Sequence, residues 1–204
     1  MKLRAILLTG VFCSLFAFQA FAAVDITNRT GTIEITMPDG TAVTITADQP
    51  LPEIPDGAVI TVTSGSANIT TSGTSTVSVS IGGSTLQVSA GTTVNLGLNE
   101  AGTANIAVTA GQAVVSCGGT SATVGANSSI NVTLNTATNT GSFQVVSGSV
   151  VFQLPDGTSV TRDPSNPTVE FTAEPYSPPP LPDVPNVRNE VTNEEAGKDI
   201  SPSK

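Results

Sequence analysis

The chain has 204 residues, with seven Lys and Arg against sixteen Asp and Glu and no His, for a formal net charge of −9. That balance makes it a poor partner for phosphate backbones and anionic membrane surfaces, so nucleic acid is not expected. Between Gly57 and Pro155 the one charged residue is Glu100, which leaves the middle of the chain almost without acid, base or metal chemistry.

Met1 to Ala23 reads as a secretory signal: Lys2 and Arg4 precede an apolar run from Ala5 to Phe18, and Ala20, Ala22 and Ala23 supply the small residues of a cleavage site. Cleavage is placed after Ala22, giving a signal peptide over 1–22 and a mature charge of 5 − 16 = −11. The apolar run is shorter than the ~20 residues of a membrane span and no second one follows, so no span is expected after cleavage. Lipid attachment at Cys13 is not expected, because Phe12 stands where a small residue belongs. Losing Cys13 leaves Cys117 alone, which forbids an internal disulfide. With no His, Lys or Arg nearby in sequence to activate it, Cys117 reads as a small buried strand residue and not a reactive thiol. The expected destination is the periplasm or the cell surface and beyond.

Residues 23–162 read as one all-β domain of many short strands, either β-solenoid-like or a two-sheet β-sandwich. Ile33, Ile35 and Met37 alternate with Thr and Glu. The period of two returns in Val43 and Ile45, in Val59, Thr61 and Thr63, in Val77, Val79 and Ile81, and in Ile130, Val132 and Leu134. β-Branched residues and frequent Gly argue against helices. Pro-Asp-Gly marks turns at Pro38 to Gly40, Pro55 to Gly57 and Pro155 to Gly157, where Pro presets a torsion, Asp bonds the backbone ahead and Gly takes positive φ. No D-x-D-x-D-G cluster accompanies them, so no metal site is expected.

The sequence also repeats. Ile35 to Thr44 (ITMPDGTAVT) matches Phe152 to Thr161 (FQLPDGTSVT), so similar hairpins open and close the domain. The pattern V-x-A-G-x-x-V occurs at Val88 to Val94 and Val108 to Val114, and V-x-S-G-S at Val62 to Ser66 with a near match at Val145 to Ser149. Such units bury their apolar faces by stacking on neighbours.

From Asp163 to Lys204 the character changes to a Pro-rich, acidic tail, with Pro164, Pro167, Pro175, Pro178 to Pro180, Pro182 and Pro185 followed by Glu190, Glu194, Glu195 and Asp199. Val169-Glu170-Phe171 is able to add a last strand. Beyond Glu174 the composition predicts a stiff polyproline-like spacer and a mostly disordered end.

Nothing in this inventory assembles a catalytic constellation. Without His a Ser-His-Asp or Cys-His arrangement is impossible, and Glu100 has no second carboxylate in the middle of the chain. Only convergence of Glu34, Asp48, Glu53 or Asp163 in space would supply a carboxylate pair, and solvated turns and strand ends explain these residues sufficiently. No catalytic, cofactor-binding or metal-binding residue is therefore named, and no cofactor is expected. The absence of Trp, with Tyr176 confined to the tail, argues against a carbohydrate or single-strand surface built on aromatic faces. Phe143, Phe152 and Phe171 are expected to fill the core where the last repeats close. The Asn-x-Ser/Thr triplets at Asn28, Asn68, Asn127 and Asn131 follow from composition alone.

Three stretches carry a family likeness: Gly31 to Gly40 (GTIEITMPDG), Ile54 to Ile69 (IPDGAVITVTSGSANI) and Gly83 to Val94 (GSTLQVSAGTTV). Over about residues 24–162 they resemble the FecR-type β domain of exported bacterial proteins. The family's later Gly-Thr-x-Phe-x-Val element is loosely matched by Gly119 to Val124, where Ala122 replaces the aromatic and the preceding Arg is missing. The resemblance implies an all-β, solenoid-like fold outside the cytoplasm, and in the best-known members a signal relay from an outer-membrane receptor to a sigma factor. Such a relay requires a cytoplasmic segment and an internal membrane helix, neither of which this sequence shows. The expectation is thus a non-catalytic envelope module that binds or scaffolds, its partner another envelope protein or itself. The alternative is a self-associating structural or adhesive surface protein, because uncharged strand edges tend to pair.

Overall fold

A computed structural model describes residues 24–55, 57–74 and 76–172. The expected signal peptide, Asp56 of the second Pro-Asp-Gly turn, and the Pro-rich arm and acidic end from 173 onward lie outside the described residues. Alternating Val, Ile and Thr with Gly-rich turns produces strands and no helix among the described residues. They are β1 (Val24–Thr36), β2 (Ala42–Thr46), β3 (Val59–Thr71), β4 (Val77–Ile81), β5 (Ser84–Val88), β6 (Thr93–Leu98) and β7 (Ala104–Ala110), then β8 (Gln112–Cys117), β9 (Thr120–Gly125), β10 (Ser128–Asn135), β11 (Thr140–Ser147), β12 (Val150–Gln153), β13 (Ser159–Arg162) and β14 (Thr168–Thr172).

All fourteen strands belong to one sheet, which divides at β3 into two wings. The first half of β3 pairs with β4, and that wing continues as β5, β8, β9, β12 and β13. Its second half pairs with β6, and the other wing continues as β7, β10, β11 and β14. Along its other edge β3 pairs with β1, which carries β2. Every ladder is antiparallel except that between β3 and β4. A solenoid stacks parallel coils, so of the two architectures read from the sequence this pairing favours the two-faced one, with the wings folded against each other.

The repeats are the corners of this fold. Successive hairpins alternate between wings: β4–β5, then β6–β7 opposite, then β8–β9 back, then β10–β11 opposite, then β12–β13 back. Both copies of V-x-A-G-x-x-V lie at crossings between wings, β5 to β6 and β7 to β8. There Thr92 Oγ1 donates to the Gln112 carbonyl (3.0 Å) and Thr71 Oγ1 to the Ser89 carbonyl (2.6 Å), satisfying backbone that has left the ladder. The V-x-S-G-S copies mark the bend within β3 and the crossing from β11 to β12. At the first, Gly65 (φ 76°) faces Gly31 (φ 72°), and a Cβ on Gly31 would stand 2.5 Å from the Ser64 carbonyl oxygen. The backbones touch there, which only glycine allows.

The matching outer hairpins share their turn chemistry. In β1–β2, Met37 N–H donates to the Thr41 carbonyl (2.8 Å) and Thr41 N–H to Asp39 Oδ1 (2.8 Å). In β12–β13, Leu154 N–H donates to the Thr158 carbonyl (2.9 Å) and Thr158 N–H to Asp156 Oδ1 (2.9 Å). The third copy leads into β3 without forming a hairpin, with Ala58 N–H on the Pro55 carbonyl (3.2 Å).

The core lies between the wings. Ile33, Ile35, Ile60, Ile69, Ile81, Leu86, Ile106 and Ile130 are fully buried, and Phe143 meets both Phe152 and Phe171. One alternation gains its direction, and one boundary needs correcting. The alternation through Val59, Thr61 and Thr63 marks the outer face of β3, for Ile60 and Val62 are the buried set and Val59 is 37% exposed. The folded body does not stop at Arg162: β14 pairs with β11, burying Val169 and Phe171, because the five-residue turn after β13 carries the chain to the other wing.

Candidate functional site

Each carboxylate considered from sequence sits on a different element. Glu34 lies on β1 opposite Thr44 and Thr61, Asp48 in the turn after β2, Glu53 in the loop before β3, and Glu100 on the exposed tip between β6 and β7. Asp163 caps the turn between β13 and β14, accepting from Ser165 N–H (2.9 Å) and Asn166 N–H (3.2 Å). Among the described residues no group of three or more His, Cys, Asp or Glu is placed to hold a metal ion. Cys117 is buried at the end of β8, its thiol 3.6 Å from the Gly83 carbonyl. Burial pushes that thiol above its ordinary value, partly offset by the Ser84 side chain.

What the sheet does present is a pair of broad outer faces written in hydroxyls and amides. Because side chains alternate and the register is fixed, outward positions line up in rows across the strands. On the wing ending in β14, one row runs Ser66, Gly97, Asn105, Asn131, Gln144 and Thr168. Its neighbour runs Thr133, Ser142 and Glu170.

Two grooves are cut into this face. The first, of about 290 Å³, is lined by Gly65, Gly97, Leu98, Asn99, Thr103, Asn105 and Asn131. It exists because Gly97 places no side chain between Ser66 and Asn105. Asn105 Nδ2 donates to Asn131 Oδ1 (2.8 Å), fixing both amides at its wall. The second, of about 530 Å³, lies over β10, β11 and β14 and is lined by Thr133, Asn135, Thr140, Gly141, Ser142, Glu170, Phe171 and Thr172. Thr103 Oγ1 and Thr133 Oγ1 share a hydrogen bond (3.3 Å) where the grooves meet. Sequence reading missed this site. Its outward residues are legible in the alternation of Asn and Thr with Ile and Val, but which of them stand side by side depends on register between distant strands.

No protein-family model, curated protein or solved structure matches the chain.

Proposed function

We propose that this chain is a non-catalytic binding or scaffold module of the bacterial envelope, exported to the periplasm or cell surface; the sequence likeness to FecR-type domains supports that setting, while the antiparallel wings depart from the solenoid-like fold the likeness implies. The observation that carries the reading is the grooved outer face of the β14 wing, a surface of amides and hydroxyls in which Asn105 and Asn131 are held together by a hydrogen bond and Glu170 is the one carboxylate among the described lining residues. Such surfaces recognise by hydrogen bonding and shape. In-cell cross-linking is expected to trap one specific envelope component, and recovery of nothing but the chain itself would overturn this reading.

Self-association is the second reading, favoured by the opposite wing. Val59, Val114 and Val151 fall in one outward row there, with Val59 37% and Val151 41% exposed. The edges of β2, β13 and β14 are unpaired among the described residues. Sedimentation of the purified chain over a wide concentration range decides this reading, which a strict monomer would end.

A further inference from the structure

Resting on the binding reading, we propose that the two grooves form one track for a neutral, polyhydroxylated glycan strand lying across β6, β7, β10, β11 and β14. The lining sets the ligand's charge. Among the described residues no Lys or Arg lines either groove and Glu170 is the single carboxylate, so an anionic polymer finds no counter-charge there and a polycation finds only one. What the walls offer instead is a mixed set of donors and acceptors: the amides of Asn99, Asn105, Asn131 and Asn135 and the hydroxyls of Thr103, Thr133, Thr140 and Ser142. Sugar hydroxyls both donate and accept, which is the complement of such a set.

Direction argues the same way. An extended peptide adds along a sheet edge, using its backbone parallel to the strands. This track instead crosses the strands, spanning four strand spacings of about 4.8 Å, or about 19 Å. Polar groups therefore recur along it at the strand spacing, which suits a polymer with regularly repeated hydroxyls. Phe171 lines the second groove beside Gly141, but at 7% exposure it offers little ring face, so the grip comes mainly from hydrogen bonds and is modest in strength.

Gly97 makes the track testable without unfolding the protein. Its φ is not positive, and a Cβ there would meet only Asn105 Cβ at 3.9 Å, an ordinary contact. A Gly97→Thr change fills the groove floor with a residue that favours strands. Gly125→Thr is the matched control, on the outer face of β9 in the other wing, also without positive φ and with nothing within 4 Å.

The experiment titrates the purified full chain by calorimetry with neutral oligosaccharides of cellulose, chitin, xylan and amylose, and with polygalacturonate as the anionic comparison. At least one neutral oligosaccharide is expected to bind. Gly97→Thr is expected to weaken it about ten-fold or more, and Gly125→Thr to leave it unchanged, with thermal melts showing both variants folded. No binding by any neutral oligosaccharide, tighter binding of polygalacturonate, or equal affinity in Gly97→Thr would overturn the proposal. If glycans fail while cross-linking still traps an envelope protein, the binding reading stands and the glycan inference alone falls.

Discussion

The rings of Phe143 on β11 and Phe152 on β12 lie 5.4 Å apart at 56°, one from each wing, so the contact ties the two faces together. Phe171 of β14 extends the pair, 5.0 Å from Phe143. Both Phe143 and Phe152 are fully buried. Phe143→Ala is expected to cost about 3–5 kcal/mol, from lost transfer free energy and the cavity left behind. Urea unfolding measures it. The Phe143→Ala, Phe152→Ala double variant should cost less than the sum of the singles because the rings touch, and strict additivity would show that the wings are held elsewhere.

At the bend of β3 the backbone, not the core, sets the limit. Gly65→Ala adds a side chain at φ 76° and drives it into the Thr30 carbonyl, so the left-handed penalty and the clash together cost about 3 kcal/mol. Gly40→Ala, at φ 85° but with nothing within 4 Å, is expected to cost only about 1 kcal/mol. Thermal melts of the two variants, compared side by side, should separate them. Equal costs would mean that the close approach at the bend contributes nothing.

These two sites show what the sequence could and could not convey. The two outer turns were legible because Pro-Asp-Gly works locally, the Asp39 and Asp156 side chains each accepting an N–H two residues ahead. The three core phenylalanines were legible from their apolar bulk. The V-x-S-G-S and V-x-A-G-x-x-V repeats were visible too, but not their meaning as corners, since a glycine required by a close backbone approach looks in sequence like a glycine required by a turn. The groove was hidden for a related reason. Gly97, Asn105 and Asn131 become neighbours only through ladders that join β6 to β7 and β7 to β10.

Cys117 offers a probe of opening between the wings. It is 5% exposed, and burial raises its thiol above the ordinary value of 9.0, so thiolate is scarce and sheltered at neutral pH. The folded protein is expected to react with an aromatic disulfide reagent far more slowly than the same protein in denaturant. Prompt native labelling would reveal a local opening at the β8–β9 turn that the packing does not suggest.

Acid stability should be controlled by three exposed turn aspartates. Hydrogen bonds hold each carboxyl below its usual 3.8: from the Thr41 backbone to Asp39, from the Thr158 side chain and backbone to Asp156, and from the Ser165 side chain and backbone to Asp163. A carboxyl with a lower pKa folded than unfolded binds more protons in the unfolded state, so its contribution is complete above 3.8 and fades as pH falls through that value towards the folded pKa. The chain has no His, so no imidazole adds a slope near neutrality. Melting temperature is therefore expected to be flat around neutral pH and to drop in acid. An Asp39→Ala, Asp156→Ala, Asp163→Ala variant should melt somewhat lower at neutral pH, show a shallower acid slope, and converge with the parent chain once these carboxyls are protonated. Parallel curves, offset equally at every pH, would place the acid sensitivity in other carboxylates.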